Sequence, residues 1–123
     1  MTFTQLATLA VDTVEATQRR LPAEIRALAA TVAVHYEERP DADVLADGFE
    51  PDILGLFTGD PHGLSGESGH PLPAQIILYL ANLWDFAEGD PAVFRDEVRL
   101  TYLHELGHFL GWDEDDVAAR GLE

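Results

Sequence analysis

The stretch "YLHELGHFLGWDEDD", residues 102–116, decides how the chain is read. Two histidines stand four apart, a glutamate follows the first, and a glycine and a run of acids come after. On a helix, with a rotation of about 100° per residue, His104 and His108 fall on one stripe, a turn apart. Two imidazoles so placed can both reach one metal ion. Glu105 lies beside that stripe, where it meets a water bound to such an ion more easily than the ion itself. This is the physical content of a His-Glu-x-x-His pattern.

Working outward, Asp90 and Pro91 supply an N-cap and a first helical residue, so the spacing predicts a helix from Pro91 to about Leu110. Gly111 suits its stop. Phe94, Val98, Tyr102, Leu103, Leu106, Phe109 and Leu110 spread over a wide apolar arc, which buries most of the circumference. The remaining stripe holds Glu97, Thr101, His104 and His108. Polar groups on a buried helix need partners, because unpaired ones are costly. A catalytic zinc takes three protein ligands and keeps one open position. Glu114, six residues after His108, stands where the extended pattern His-Glu-x-x-His-x-x-Gly-x-x-His places its third ligand. Asp113, a water or a more distant residue are the alternatives for that place. The competing reading is two histidines hydrogen-bonded in a core, followed by an acidic helix start. The bare five-residue pattern arises by chance in roughly one of several hundred chains of this size. The glycine and the correctly spaced acid favour the metal site.

The whole chain has 123 residues, which suits one domain over 1–123 with a real core. Seven basic residues, all Arg, stand against 23 acidic ones, a net charge of −16. That balance argues against nucleic acid or an anionic membrane as partner, since phosphate binding needs Lys and Arg clusters. There is no cysteine, so thiolate ligands, disulfides and cysteine nucleophiles are excluded. No basic n-region precedes an apolar segment near Met1, and no run of apolar residues is long enough to span a bilayer. The cytoplasm is the simplest expected location. Nothing in the chain specifies an oligomeric state.

Upstream, residues 4–19 read as an amphipathic helix, and Pro22 starts a second, short one through about Ala30. "TVAVHYEE" (31–38) reads as a strand, "RPDADVLADGFEPD" (39–52) as a loop, and "ILGLF" (53–57) as a strand. "TGDPHGLSGESGHPLP" (58–73) carries four glycines and three prolines and reads as a long irregular loop. "QIILYLANLW" (75–84) reads as a strand, with a helix as the alternative for so apolar a run. A last short helix is expected between Asp113 as N-cap and Gly121 as stop.

"VRLTYLHELGHFLGWDEDDV" (98–117), together with "LGLFTGDP" (54–61) and "LPAQIILYLANL" (72–83), resembles the small bacterial metallopeptidase family of minimal zincins. The family's signature is His-Glu-x-x-His-x-x-Gly-x-x-Asp, and the resemblance runs from about residue 22 to the end. Here Glu114 replaces the usual aspartate with a longer carboxylate. There is no third histidine, and no methionine after Met1 to form a Met-turn. The resemblance implies an α+β, minimal zincin-like fold: a small mixed sheet packed on an active-site helix and N-terminal helices. It also implies one Zn²⁺ per chain.

The activity to expect is peptide-bond hydrolysis of a peptide or protein substrate. His104, His108 and Glu114 would be the ligands, and Glu105 the general base. Zincins commonly add an extended substrate to a sheet edge, and "QIILYLANL" (75–83) is the candidate edge strand, with a plain core strand as its alternative. Tyr79, His62 and His70 are the candidates for stabilising an oxyanion or touching substrate. His35, Tyr102, Trp84 and Trp112 read as structural. A different class of function also fits: a zincin-type protein that binds or regulates, with zinc as a staple. An intact Glu105 argues against it. Binding of Ca²⁺ or Mg²⁺ at the acidic run is a third reading, and the two imidazoles disfavour it, since hard cations prefer oxygen.

Overall fold

The structure, a computed structural model, describes residues 1–60 and 73–112. Helix α1 spans Phe3–Arg19. Thr2 and Gln5 close a capping box at its start: the Thr2 hydroxyl accepts from the Gln5 N–H at 3.1 Å, and the Gln5 side chain accepts from the Thr2 N–H at 2.9 Å. Its buried stripe is Leu6, Ala10, Val14 and Thr17, at helical spacing. Helix α2 covers Ala23–Ala29, with Pro22 one position earlier than the sequence suggests, at the N-cap.

Strand β1 is Ala33–Glu37, β2 is Gly55–Thr58 and β3 is Gln75–Tyr79. The apolar run 75–84 divides between the two readings open to it: β3 ends at Tyr79, and helix α4, Leu80–Phe86, follows at once. The polar stretch after β1 is not all loop. Asp41 accepts from the Val44 N–H at 3.0 Å and starts a five-residue helix, α3, Ala42–Ala46, which buries none of its residues.

Among the described residues the sheet order is β1-β3-β2, with β1 parallel and β2 antiparallel to β3. This corrects the expected substrate edge. β3 is the central strand, bonded on both sides, and among the described residues the edge beside the helix of Pro91–Leu110 is β2. The Leu54 carbonyl accepts from the Tyr79 N–H at 3.0 Å. By the alternation of an antiparallel ladder, Leu54, Leu56 and Thr58 turn their backbone groups to β3, and Gly55 and Phe57 turn theirs to the outer edge.

Helix α5, Pro91–Leu110, runs as the sequence predicts. The Asp90 carboxylate accepts from the N–H groups of Ala92 and Val93 at 2.9 and 3.3 Å. Gly111 ends the helix at φ 75°, a left-handed conformation that a Cβ would disfavour. Its apolar arc, Phe94, Val98, Tyr102, Leu106 and Phe109, packs in one core with Ile76 and Leu78 of β3, Leu80 and Leu83 of α4, and Leu6, Ala10 and Val14 of α1. The result is an α+β, minimal zincin-like architecture: a small mixed sheet against a long C-terminal helix, with the N-terminal helices behind. No helix among the described residues is long and apolar enough to cross a membrane.

Candidate metal centre

The centre stands on α5, where it faces β2. The rings of His104 and His108 lie with centroids 4.7 Å apart and planes inclined by 56°. Both imidazoles reach the surface, whereas Glu105 between them is only 6% exposed. The Glu105 Oε1 atom is 3.8 Å from His108 Nδ1. One ligand atom from each of the three residues falls within 4.8 Å of the others. Nitrogen and carboxylate oxygen donors one helical turn apart fit a zinc ion, which is held at about 2 Å by such atoms.

Glu105 is placed by β2. Its carboxylate accepts a hydrogen bond from the Phe57 backbone N–H, which the ladder turns outward. Burial pushes its pKa above the ordinary carboxylate value; the nearby His104 and the Phe57 bond oppose that rise without cancelling it. The approach of helix to strand depends on Gly55. A Cβ there would lie 2.7 Å from Thr101 Cγ2, 3.2 Å from the Ile77 carbonyl oxygen and 3.4 Å from Glu105 Cγ. Phe57 and Phe109 extend the same contact with rings 6.1 Å apart. Neither Gly55 nor Phe57 stands out when the sequence is read for chemistry. The available signal was structural: a glycine inside a short apolar strand marks close approach of another element.

The remaining expected residues divide. Tyr79 is fully buried, but it projects from the sheet face opposite to Ile76 and Leu78, so it does not reach the α5 histidines. Its hydroxyl has no hydrogen-bond partner among the described residues. Burial raises its pKa, and the charges of Glu37 and Asp41 add to the rise. Tyr102 is core, as expected, and its hydroxyl accepts from Gln18 Nε2 at 3.1 Å. Trp84 packs edge-on against Phe94 at 5.8 Å. His35 is exposed on β1. Glu114, its alternative Asp113, His62, His70 and the expected last helix lie outside the described residues.

A His-Glu-x-x-His helix lying against the antiparallel edge strand of a small mixed sheet defines the zincin class. The comparison with known families agrees: the chain belongs to the zincin-like metallopeptidase family, whose profile matches residues 29–122. Helix α1 precedes the matched region, yet it supplies Gln18 to Tyr102 on α5. No curated protein matches the chain.

Proposed function

We propose that the protein is a zinc-dependent peptide hydrolase. His104 and His108 hold the ion, and Glu114 completes the set as the third ligand. Zinc, when bound there, lowers the pKa of water toward neutrality and polarises a carbonyl. The observation that carries the reading is Glu105: a carboxylate buried between two imidazoles, with its pKa raised toward the range where a general base works. One Glu105 carboxylate oxygen takes the proton from the attacking water and delivers it to the leaving amine nitrogen. The Phe57 N–H keeps that carboxylate aimed.

The substrate is an extended peptide laid along the outer edge of β2, where Gly55 presents its N–H and carbonyl and Phe57 its carbonyl, the Phe57 N–H being held by Glu105. Gly55 lets α5 pack close against β2, which brings a peptide laid on that edge near the α5 histidines. A zinc-stapled binding protein would need no buried base, and Glu105 therefore favours the enzyme. The absence of cysteine suits a reducing compartment, and we place the protein in the cytoplasm.

Metal content by mass spectrometry, with His104→Ala as control, tests the centre. Hydrolysis of a peptide library by the wild-type chain and by Glu105→Gln tests the chemistry. One zinc per chain and hydrolysis lost in Glu105→Gln is the expected result. Zinc without hydrolysis returns the protein to the stapled reading, and no zinc removes both.

A further inference from the structure

Apart from the histidine pair, the described residues line a cavity of about 460 Å³. Its apolar wall is Pro51, Leu54 and Phe86, and its rim carries Arg39, Asp52 and Asp85. The floor is rigid. Asn82 is 5% exposed and uses its whole amide: Nδ2 donates to the carbonyls of Pro51 and Ile53, each at 2.9 Å, and Oδ1 accepts from Arg39 Nη1 at 2.6 Å. Phe86, the last residue of α4, is nevertheless 59% exposed, and Phe49, two residues before Pro51, is 42% exposed. A preformed cavity with a bare aromatic wall is the form that anchors a side chain of a partner.

The charge around it selects the partner. Residues 37–52 hold Glu37, Glu38, Asp41, Asp43, Asp47, Glu50 and Asp52 against a single cation, Arg39. That cation is already bound to Asp85 at 3.0 Å. Such a field repels anionic lipid and nucleic acid. It also repels a second copy of this chain, which brings the same net charge of −16. A bare metal cation would leave the apolar wall uncovered.

The geometry points to a docking socket for a basic segment of another polypeptide. That segment inserts a Phe or Leu side chain against Leu54 and Phe86 and sets Lys or Arg beside Asp52. The socket shares no residue with the α5 centre, so this inference stands apart from the peptidase reading. Apolar burial supplies the anchor, and complementary charge supplies selectivity and speed of encounter.

The test is an NMR titration of the ¹⁵N-labelled full chain carrying Glu105→Gln, which keeps added peptide intact. The probe is acetyl-Lys-Lys-Phe-Lys-Lys-amide. One control peptide has Ser for Phe, and another has Glu for Lys. We expect amide shifts at Arg39, Asp52 to Leu54 and Asn82 to Phe86, without shifts at His104 to His108. The probe should bind about tenfold tighter than either control. Phe86→Ser, at an exposed position, should leave the free spectrum folded and weaken the probe by about the same factor. Equal binding of the Ser control reduces the contact to general charge attraction and overturns the socket. Shifts centred on α5 and β2, indifference to Phe86→Ser, or no binding at all overturn it equally.

Discussion

Gly55→Ala tests the contact that aims Glu105. The added Cβ would meet Thr101 Cγ2 at 2.7 Å and the Ile77 carbonyl oxygen at 3.2 Å. Ordinary carbon–carbon contacts sit near ~3.5–4.0 Å, so helix and strand must part by roughly 0.8 Å or Thr101 must change rotamer. Overpacking of this kind costs about 1–3 kcal/mol, and replacing a strand glycine returns about 0.5–1 kcal/mol of backbone entropy. The net expectation is a loss of about 1 kcal/mol, or a fall in Tm of roughly 3–6 °C at this chain length. Separation also lengthens the bond from the Phe57 N–H to Glu105, so hydrolysis should fall further than the folded fraction does. Thr101→Ser deletes Cγ2, the atom in the closest contact, and keeps the hydroxyl. It should therefore recover part of the loss in the double variant while the Ile77 contact persists. The assay is urea unfolding of the four proteins of the cycle, at fixed zinc, because a bound ligand shifts apparent stability. A coupling of about 0.5 kcal/mol or more between the two sites is expected. If Gly55→Ala is as stable as wild type and Thr101→Ser does not change it, the close-approach argument is wrong.

Three further outcomes are expected. Glu105→Gln should retain zinc and lose activity by about 10²–10⁴-fold, read as metal content beside kcat on any library peptide that wild type cleaves. Asn82→Ala removes the partner of two carbonyls and of Arg39, and should cost about 1–3 kcal/mol in urea unfolding. Tyr36 is pushed from 10.0 up to about 12 by burial, with smaller additions from Tyr102 and Glu15. Between those values the folded state holds a proton that the unfolded state has lost. Its contribution to stability is thus complete below pH 10 and is lost as pH rises through 12. Tyr36→Phe should flatten that alkaline decline in thermal unfolding, and an unchanged decline would refute the assignment.

What was legible in the sequence is what a single helix encodes. Asp90, Pro91 and Gly111 are start and stop signals that act within one turn of themselves, and α5 obeys all of them. The His-Glu-x-x-His spacing likewise needs only helical rotation to bring His104 and His108 together. Where the reading failed, the deciding contact was distant or the pattern carried no period. The run from Gln75 to Trp84 is apolar on every side because β3 is central and α4 is packed, so neither a twofold nor a 3.6-residue alternation marks the break at Tyr79. The face that Tyr79 takes is hidden for the same reason: it depends on pairing across a parallel ladder with Glu37, 42 residues away in sequence. Helix α3 leaves no apolar period in the sequence because it buries nothing, and its one local signal is Asp41 following a proline.

The division has a consequence for how the centre works. His104 and His108 are both carried on α5, so the proposed metal-binding stripe needs that helix to stay folded. The proposed base is set by two elements: Glu105 is carried on α5, but its carboxylate is held by the β2 backbone through Phe57 and admitted by the missing side chain of Gly55. Substitutions in β2 should therefore separate metal affinity from hydrolysis, leaving the first near wild type and lowering the second. Substitutions that unravel α5 from Gly111 should lower both together. Zinc affinity and kcat measured side by side for Gly55→Ala and for Gly111→Val decide it. Parallel loss of the two quantities in Gly55→Ala would mean that β2 supports the helix rather than aims the base.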